Sequence, residues 1–166
     1  MGSRRASRAP RDSLILPMKP NENCPFCEPN RRRAVFLENE AFAALYNGAP
    51  ILPGHSLVIP QRHVTSVMEL SDEALAGLFL FARRVARLLA DVYHCDSFDW
   101  TVQDGESAGQ TVAHLHVHII PRQTGDLPHP GDWYPKLIDS DGRPRLSWED
   151  FEKAVARLRV AAANGG

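Results

Sequence analysis

Residues 103–122 read QDGESAGQTVAHLHVHIIPR, and the last third of this stretch alternates histidine with aliphatic residues. In a β-strand, predicted here over residues 113–121, successive side chains point to opposite faces. The imidazoles of His114, His116 and His118 therefore line one face, and the aliphatic face is expected to pack into a core. Imidazoles near neutral pH serve as nucleophiles, proton donors or metal ligands, so this row predicts a reactive site.

Two other interpretations of the histidine row remain open at this point. The three side chains could have a purely structural role, or they could converge on one catalytic metal ion. The loop before the row is rich in small and polar residues, with Gly105 and Gly109 among them. Such a loop can bring backbone N–H groups close to a bound anion.

The size and charge of the chain limit the classes of function. The 166 residues are 43% hydrophobic with a net charge of −1, which fits one compact domain. We predict that residues 1–18 are a disordered tail and that residues 19–163 form this single domain. The balanced charge gives no electrostatic footprint for nucleic acid, and no apolar run reaches the length of a membrane span.

Cysteine usage indicates a reducing compartment, and we predict a cytoplasmic protein. Cys24 and Cys27 lie close together in a Cys-x-x-Cys motif, while Cys95 is alone. The motif alone is ambiguous between zinc, redox activity and chance, although no βαβ pattern follows to favour a redox role. A structural zinc needs about four ligands, so two more must come from elsewhere. The histidine candidates are His55, His63, His94, His129 and one member of the row at 114–118.

The order of the predicted elements favours an α+β domain built on an antiparallel sheet. A first helix begins after Ser71, and Ser147 with Asp150 resembles the capping box of a second helix. The first helix carries two apolar stripes, a hint that it packs on the sheet and on a partner subunit. Residues 123–144 are predicted to be a long loop-like stretch. The five predicted strands are residues 34–38, 41–47, 55–60, 97–102 and 113–121.

The segment HLHVHIIP at residues 114–121 resembles the signature of the histidine triad (HIT) superfamily. The longer stretch 103–122 looks like its fragile-histidine-triad branch, whose members hydrolyse diadenosine triphosphate and related dinucleoside polyphosphates. The similarity covers roughly residues 35–134. It implies a HIT-like fold of five antiparallel strands and two helices, usually dimerised into a ten-stranded sheet.

The resemblance also implies a nucleotidyl-transfer mechanism. By motif position, His116 is the nucleophile on the α-phosphate, His118 binds the transferred phosphate, and His55 belongs to the same site. From the residues alone, His55 is equally well a surface side chain and Asn47 a simple turn cap; by resemblance Asn47 contacts the ribose. The positions matching contacts to phosphate and leaving group are Gln103, Gly109, Gln110, Thr111 and Val112.

The implied reaction is cleavage of diadenosine tri- or tetraphosphate with release of AMP, and three alternatives are kept. They are a nucleoside phosphoramidase, a dinucleoside polyphosphate phosphorylase, and a nucleotide-binding signalling module with slow turnover. Gln103, and Pro121-Arg122 where phosphoramidase-type members carry glycines, favour the polyphosphate branch. The expected partners are a nucleotide substrate and a second copy of the chain.

The N-terminal part of the chain departs from the fragile-histidine-triad pattern. That branch lacks the Cys-x-x-Cys motif and a histidine at the place of His63, whereas zinc-containing members of the superfamily carry both. Those members complete the site with the first triad histidine. The resemblance therefore implies a structural zinc held by Cys24, Cys27, His63 and His114. A closed site with four protein ligands has no open position for chemistry, which weakens the catalytic-metal interpretation.

Overall fold

The computed structural model describes residues 21–165, which form one five-stranded antiparallel sheet in the order β1-β2-β3-β5-β4. The predicted tail at residues 1–18 lies outside the described part of the chain. The predicted α+β class and the five strands are confirmed, with bounds that differ by a few residues. The strands are β1 Val35–Glu38, β2 Phe42–Tyr46, β3 Ser56–Pro60, β4 Ser97–Val102 and β5 Val117–Arg122.

The inner strands β2 and β3 are buried at every position, because both faces of the sheet are covered. One face packs on the helices and forms the main core with residues such as Val58, Leu89 and Ile119. The opposite face is covered by a smaller cluster around Leu45 and Ile59. Phe26, next to the cysteine pair, packs against this second cluster.

Three helices accompany the sheet, and two of them begin where the sequence predicts. In α1 (Asp72–Tyr93) the Ser71 hydroxyl accepts a hydrogen bond from the Ala74 N–H at 3.2 Å. In α3 (Trp148–Asn164) the Ser147 hydroxyl accepts one from the Asp150 N–H at 3.1 Å. Each side chain satisfies a donor that the first helical turn leaves free. Over residues 21–165, no helix is both long and apolar enough to cross a membrane.

The short helix α2 (Trp133–Ile138) lies inside the stretch predicted to be loop-like. A single 3-10 turn at Pro130–Asp132 leads into it. Pro135 occupies the third position of α2, in the first turn, where the missing N–H has no helical acceptor to lose. The predicted two helices are therefore three, because Pro130 and Pro135 lie at the start of helical turns within a stretch predicted to be loop-like.

Strand β5 begins at Val117, four residues later than predicted. The pairing of β5 with both neighbours starts at this residue, opposite Val58 on β3 and Val102 on β4. Before it, the Pro60 carbonyl at the end of β3 accepts from the His114 side chain at 2.9 Å, and the Leu115 N–H donates to the Val64 carbonyl at 2.7 Å. His114 and His116 thus lie in the lead-in to the strand.

The alternation predicted for the histidine row persists across this lead-in. Leu115, Val117 and Ile119 have no exposed surface and belong to the main core. The three histidines alternate with them in sequence and are also buried, at most 5% exposed. Such burial of imidazoles needs hydrogen-bond partners, and those partners define the site.

Candidate active site

Hydrogen bonds fix the protonated nitrogens of His55 and His118. The Nδ1 atom of His55 accepts from the Ile51 N–H at 3.1 Å, so the proton of a neutral His55 lies on Nε2. That Nε2 is 3.0 Å from Nδ1 of His118 and donates to it. The proton of His118 is then on its own Nε2. This atom is buried and has no partner among residues 21–165.

His116 is oriented by the backbone of the residue two positions before it. Its Nδ1 is 2.7 Å from the His114 carbonyl oxygen, an acceptor, and therefore carries the proton. The Nε2 of a neutral His116 keeps its lone pair. The rings of His116 and His118 meet edge to face, with centroids 4.8 Å apart. A nucleophilic nitrogen and a free N–H donor consequently lie side by side.

Burial keeps these imidazoles neutral, because removal from water disfavours the charged form. It lowers the pKa of His55 to about 3 and the pKa of His114 to about 4. It also lowers the pKa of His116, and lowers the pKa of His118 well below the usual range. The charge of Arg143 adds to the effect on both His55 and His118.

The glycine loop closes over Gln103, a buried residue at the end of β4. The Gln103 side-chain amide donates to the Ala108 carbonyl at 3.1 Å. Gly109 has φ +91°, and a Cβ there would lie 2.5 Å from the Gln103 Nε2. The position needs glycine for its backbone conformation and for the space that the amide occupies.

Gln110 holds the same loop in place. Its side-chain oxygen accepts from the Gly105 N–H at 2.8 Å, and its Nε2 donates to the Thr65 carbonyl at 2.9 Å. Both ends of the amide are thus bound to backbone groups, and its predicted contact with substrate stays a prediction. Thr111 is exposed and Val112 is half-buried at the end of the loop.

Asn47 begins the loop that leads to His55. Its side-chain oxygen accepts from the Ala49 N–H at 2.9 Å, which is the turn cap that the sequence analysis left open. Its backbone N–H donates to the His55 carbonyl at 3.0 Å. Asn47 therefore lies beside the histidines, and its role toward a ribose stays a prediction.

Four side chains, one of them the first histidine of the row, form a cluster that could hold a metal ion. They are Cys24, Cys27, His63 and His114, and their ligand atoms all lie within 4.8 Å of one another. The measured S···N distances are 3.3 Å for Cys27–His63, 3.5 Å for Cys24–His114 and 3.6 Å for Cys27–His114. A tetrahedral zinc, with bonds of about 2.3 Å to sulfur and about 2.0 Å to nitrogen, has S···N edges of about 3.5 Å.

The orientation of His114 also fits a metal ligand. Its Nε2 donates to the Pro60 carbonyl at 2.9 Å, so the lone pair of a neutral His114 is on the Nδ1 that faces the two sulfurs. A ligand histidine commonly donates its second nitrogen to a backbone carbonyl in this way. His55, His94 and His129, the other single candidates from the sequence, are not members of the cluster.

The metal cluster and His116, the predicted nucleophile, share two connections. The backbone carbonyl of His114, itself in the cluster, accepts the hydrogen bond of His116. Phe26, between the two cysteines, packs the edge of its ring against His116 with centroids 5.2 Å apart. The cysteine loop therefore shapes the environment of the reactive imidazole.

Arg143 is the functional candidate that the sequence analysis missed. It lies between α2 and α3, and its Nε and Nη1 are buried without a partner within the described chain. Its charge acts on His55 and His118, as described above. An arginine in the polar run DSDGRPRLS carries no local pattern that separates it from a surface residue.

The fold and the site together define an α+β protein with buried neutral histidines and free N–H donors beside the inner strands β3 and β5 of its sheet. Residues 28–125 match the family model of the HIT domain. The chain belongs to the HIT domain family, as the histidine row predicted.

Proteins from other organisms add detail to this assignment. The chain is 39% identical over 129 residues to a bis(5'-adenosyl)-triphosphatase of Dictyostelium discoideum, covering 78% of this chain and 85% of the relative. It is 42% identical over 108 residues to an asymmetrical bis(5'-nucleosyl)-tetraphosphatase of Schizosaccharomyces pombe, covering 65% of this chain and 59% of that protein. The chain thus spans less than two thirds of the second relative.

A solved structure supports the fold and bears on the metal cluster. It is that of a zinc-bound histidine triad family protein from Mycobacterium smegmatis, 30% identical with a TM-score of 0.63. The match covers 79% of this chain and 84% of that one. A metal ion thus occurs in a HIT protein of the same fold, in line with the prediction of a metal cluster here.

Proposed function

We propose that this protein cleaves dinucleoside polyphosphates, diadenosine tri- or tetraphosphate among them, at the α-phosphate and releases AMP. One observation carries the proposal, namely the hydrogen bond from Nδ1 of His116 to the His114 carbonyl. It leaves the lone pair of a neutral imidazole on Nε2, beside the free Nε2–H of His118. A nucleophile and a donor for a phosphoryl oxygen are the two groups that this reaction requires.

The reaction proceeds in two displacements. The Nε2 lone pair of His116 attacks the α-phosphorus, an N–P bond forms, and the P–O bond to the remaining nucleotide breaks with its electron pair on oxygen. With diadenosine triphosphate the leaving group is ADP, already a stable anion that needs little help from an acid. Water then attacks the adenylyl phosphorus, the N–P bond breaks, and AMP leaves while one proton passes to solvent.

The surrounding donors stabilise the charge that develops on the phosphoryl oxygens. The Nε2–H of His118 is fixed in direction by the chain from Ile51 through His55. Gln103 and the backbone of residues 109–112 surround the phosphate chain and the leaving group. Removing one such donor costs about 2.7–4 kcal/mol of activation free energy in other enzymes.

The names of the relatives support the substrate class. The Dictyostelium relative is a triphosphatase of bis(5'-adenosyl) compounds, and the fission-yeast relative is a tetraphosphatase of bis(5'-nucleosyl) compounds. Both names describe cleavage of a phosphate chain between two nucleosides. Asn47, at the end of β2, is proposed to contact the ribose of the nucleoside nearest His116.

We further propose that Cys24, Cys27, His63 and His114 bind a structural zinc ion. The fit of the S···N distances to a tetrahedral edge and the donated Nε2–H of His114 support this ligand set. The ion would tie the cysteine loop to the histidine row and needs no contact with substrate. It has four protein ligands, so no open position is left for a reacting group.

The proposed assembly is a homodimer joined along β4, which is an edge of the sheet. Phe79 and Leu80 on α1 are 42% and 57% exposed, and Trp100 on β4 is 37% exposed. The rings of Phe79 and Trp100 stack with centroids 6.4 Å apart. An apolar ridge beside a free strand edge supports pairing with a second copy into a ten-stranded sheet. Cys24, Cys27 and Cys95 form no disulfide within the described residues, which supports the proposed cytoplasmic location.

Product analysis with diadenosine tetraphosphate in ¹⁸O-labelled water tests the proposed reaction. The proposal expects ATP and AMP in equal amounts, with the label in AMP, because water attacks the histidine-bound adenylate. Addition of inorganic phosphate separates hydrolysis from phosphorolysis, since a phosphate acceptor would give ADP in place of AMP.

The matched controls are His116→Ala, expected to be inactive, and His129→Ala, an exposed histidine whose loss leaves the rate unchanged. Wild-type protein that leaves the tetraphosphate intact but cleaves adenosine phosphoramidate would overturn the substrate class.

A further inference from the structure

Arg143 reaches the catalytic histidines from the far end of the chain. It lies in residues 139–147, the connection between α2 and α3, which is separate in sequence from the histidine row at 114–118. Two of its guanidinium nitrogens, Nε and Nη1, are buried, and its positive charge lowers the pKa of His55 and of His118. The connection therefore contributes to the site formed by β3, β5 and the glycine loop.

Residues at or next to both ends of this connection contact loops of the site. At one end, Ile138 Cδ1 lies 3.4 Å from the position that a Cβ on Gly109 would take. At the other end, the Leu146 N–H donates to the Gly48 carbonyl at 3.0 Å, next to Asn47. Arg143 thus lies between two attachments, one at the glycine loop and one at the loop leading to His55.

A turn immediately before Arg143 directs the chain. The Asp139 carboxylate accepts a hydrogen bond from the Gly142 N–H at 3.0 Å. Asp139 is the acidic group that raises the pKa of Arg143, opposing the lowering by burial. Among the residues that the structure describes, however, Arg143 makes no ion pair within 4 Å with any carboxylate.

The guanidinium is therefore buried in part without an acceptor. Nε and Nη1 of Arg143 and Nε2 of His118 have neither solvent contact nor a hydrogen-bond partner within residues 21–165. The one other such side-chain atom in that range is Nη1 of Arg31, near the metal cluster. Buried N–H donors without acceptors are costly, and three of the four such atoms in that range belong to Arg143 and His118, which indicates a ligand that supplies acceptors.

We propose that Arg143 binds non-bridging phosphate oxygens of the nucleotide held by His116 and His118, and acts as a catalytic residue. Arginine suits this role because its planar fork of N–H donors matches two phosphate oxygens at once and stays charged. The phosphate group that Arg143 would bind is also the group that His116 attacks, so the arginine serves both binding and turnover. This inference rests on the proposed nucleotide substrate.

Calorimetric titration of AMP and of adenosine tests the phosphate contact without requiring turnover. The protein carries His116→Ala in every case, and Arg143→Ala, Arg143→Lys and Arg145→Ala are added singly. Arg145 is an exposed arginine two residues away and serves as the matched control.

Arg143→Ala is expected to weaken AMP binding by about 10- to 100-fold, the usual worth of a hydrogen bond to a charged group. Adenosine binding should stay within about twofold, as for a surface substitution, and Arg145→Ala should leave both ligands unaffected. Arg143→Lys keeps the charge but loses the fork, so an intermediate affinity for AMP is expected.

Two results would overturn the inference. The first is AMP affinity unchanged in Arg143→Ala, and the second is an equal loss for AMP and adenosine, which indicates a structural defect. Steady-state cleavage of diadenosine triphosphate with His116 restored is measured in parallel, and kcat/KM should fall with Arg143→Ala. A wild-type protein that does not cleave this compound, while Arg143→Ala still weakens AMP binding, refutes the proposed substrate and leaves the arginine contact standing.

Discussion

The protonation states of His55, His116 and His118 follow from their burial and from single hydrogen bonds. A backbone N–H at Ile51 fixes His55, which in turn fixes His118, and the His114 carbonyl fixes His116. Low pKa values keep the rings neutral at physiological pH. The order of these contacts gives three similar side chains different free atoms, namely a lone pair on His116 and an N–H donor on His118, as the proposed nucleotidyl transfer requires.

The lowered pKa of His116 predicts how the adenylylation step depends on pH. Only the neutral imidazole attacks, and a pKa below 6.5 means that the neutral form persists as the pH falls through 6.5. Single-turnover adenylylation measured from pH 8 downward, at pH values where circular dichroism shows folded protein, should therefore lose rate only below 6.5. A midpoint at or above 6.5 would contradict the burial argument.

The lowered pKa of His55 makes the fold less stable at acid pH. Unfolded His55 binds a proton near pH 6.5, whereas the folded residue has a pKa of about 3. The unfolded state therefore binds more protons between these values, and the free energy of unfolding falls as the pH is lowered through that window.

Gly109→Ala tests the close approach of the glycine loop to Gln103. A Cβ would meet the Gln103 Nε2 at 2.5 Å, and alanine is strained at φ +91°. We expect a stability loss of about 1–3 kcal/mol and a fall in kcat/KM of at least about tenfold, because Gln103 is displaced.

Gly131→Ala, in the 3-10 turn before α2, is the matched control for Gly109→Ala. No heavy atom lies within 4 Å of its Cβ position, and its φ is outside the left-handed region. Urea unfolding measures the stability of both variants, and steady-state kinetics measures their kcat/KM. Equal behaviour of the two would show that the Gln103 contact does not matter.

At the scale of elements, much of the arrangement could be predicted because short-range patterns carry it. Ser71 and Ser147 cap the helices as expected, and the period of two in the histidine row separates the core side chains from the reactive ones. The start of β5 could not be predicted, because in the lead-in the Leu115 N–H donates to the Val64 carbonyl beyond β3 and the His114 side chain donates to the Pro60 carbonyl, so no backbone ladder forms before Val117. Helix α2 was missed because Pro135 in its first turn, and Pro130 in the 3-10 turn before it, resemble loop signals.

The candidate site shows the same division between local and long-range information. The histidine row is a recognisable motif in the sequence, whereas His55 was indicated only by the resemblance to the HIT superfamily. Arg143 comes from a connection more than twenty residues after β5, and only the Leu146–Gly48 contact and the packing of Ile138 on Gly109 bring it to the histidines. Such a placement depends on tertiary packing that no periodicity reports.

Cys27→Ser tests the proposed zinc site. We expect zinc content, measured by elemental analysis after gel filtration, to fall from about one ion per chain to nearly none, because three remaining ligands leave the tetrahedron open. The thermal midpoint should fall in parallel. Adenylylation should slow as well, since His114 in this cluster carries the carbonyl that orients His116.

Cys95→Ser is the control for the loss of a buried thiol. Cys95 is 8% exposed, similar to Cys27 at 4%, and is not part of the metal cluster. It should keep its zinc. Full zinc content in Cys27→Ser, or a zinc-free wild type, would refute the proposed ligand set.

At the scale of the whole molecule, the exposed ridge of Phe79, Leu80 and Trp100 predicts self-association. Leu80→Glu places a charge in the centre of that ridge, and burying an unpaired charge opposes the dimer. In sedimentation equilibrium the wild type should have about twice the chain mass of 18.5 kDa, and the variant should have the mass of one chain.

Val160→Glu controls for a new surface charge, because Val160 is 63% exposed on α3 rather than on the ridge. It should leave the wild-type mass unchanged. A wild type that sediments as a single chain at all concentrations would refute the dimer, and a dimer that tolerates Leu80→Glu would move the interface elsewhere.

The central claim is that His116 forms a covalent bond to the nucleotide. Intact-mass spectrometry on protein mixed briefly with diadenosine triphosphate, and quenched without acid, tests it most directly. We predict that the wild type gains the mass of one adenylyl group, that His129→Ala gains it equally, and that His116→Ala gains none. A phosphorothioate analogue of the substrate is used in parallel, since slower breakdown of its adduct keeps a short-lived intermediate visible. Consumption of both substrates by the His116→Ala protein, or a wild type that consumes them with no adduct from either, would contradict the account.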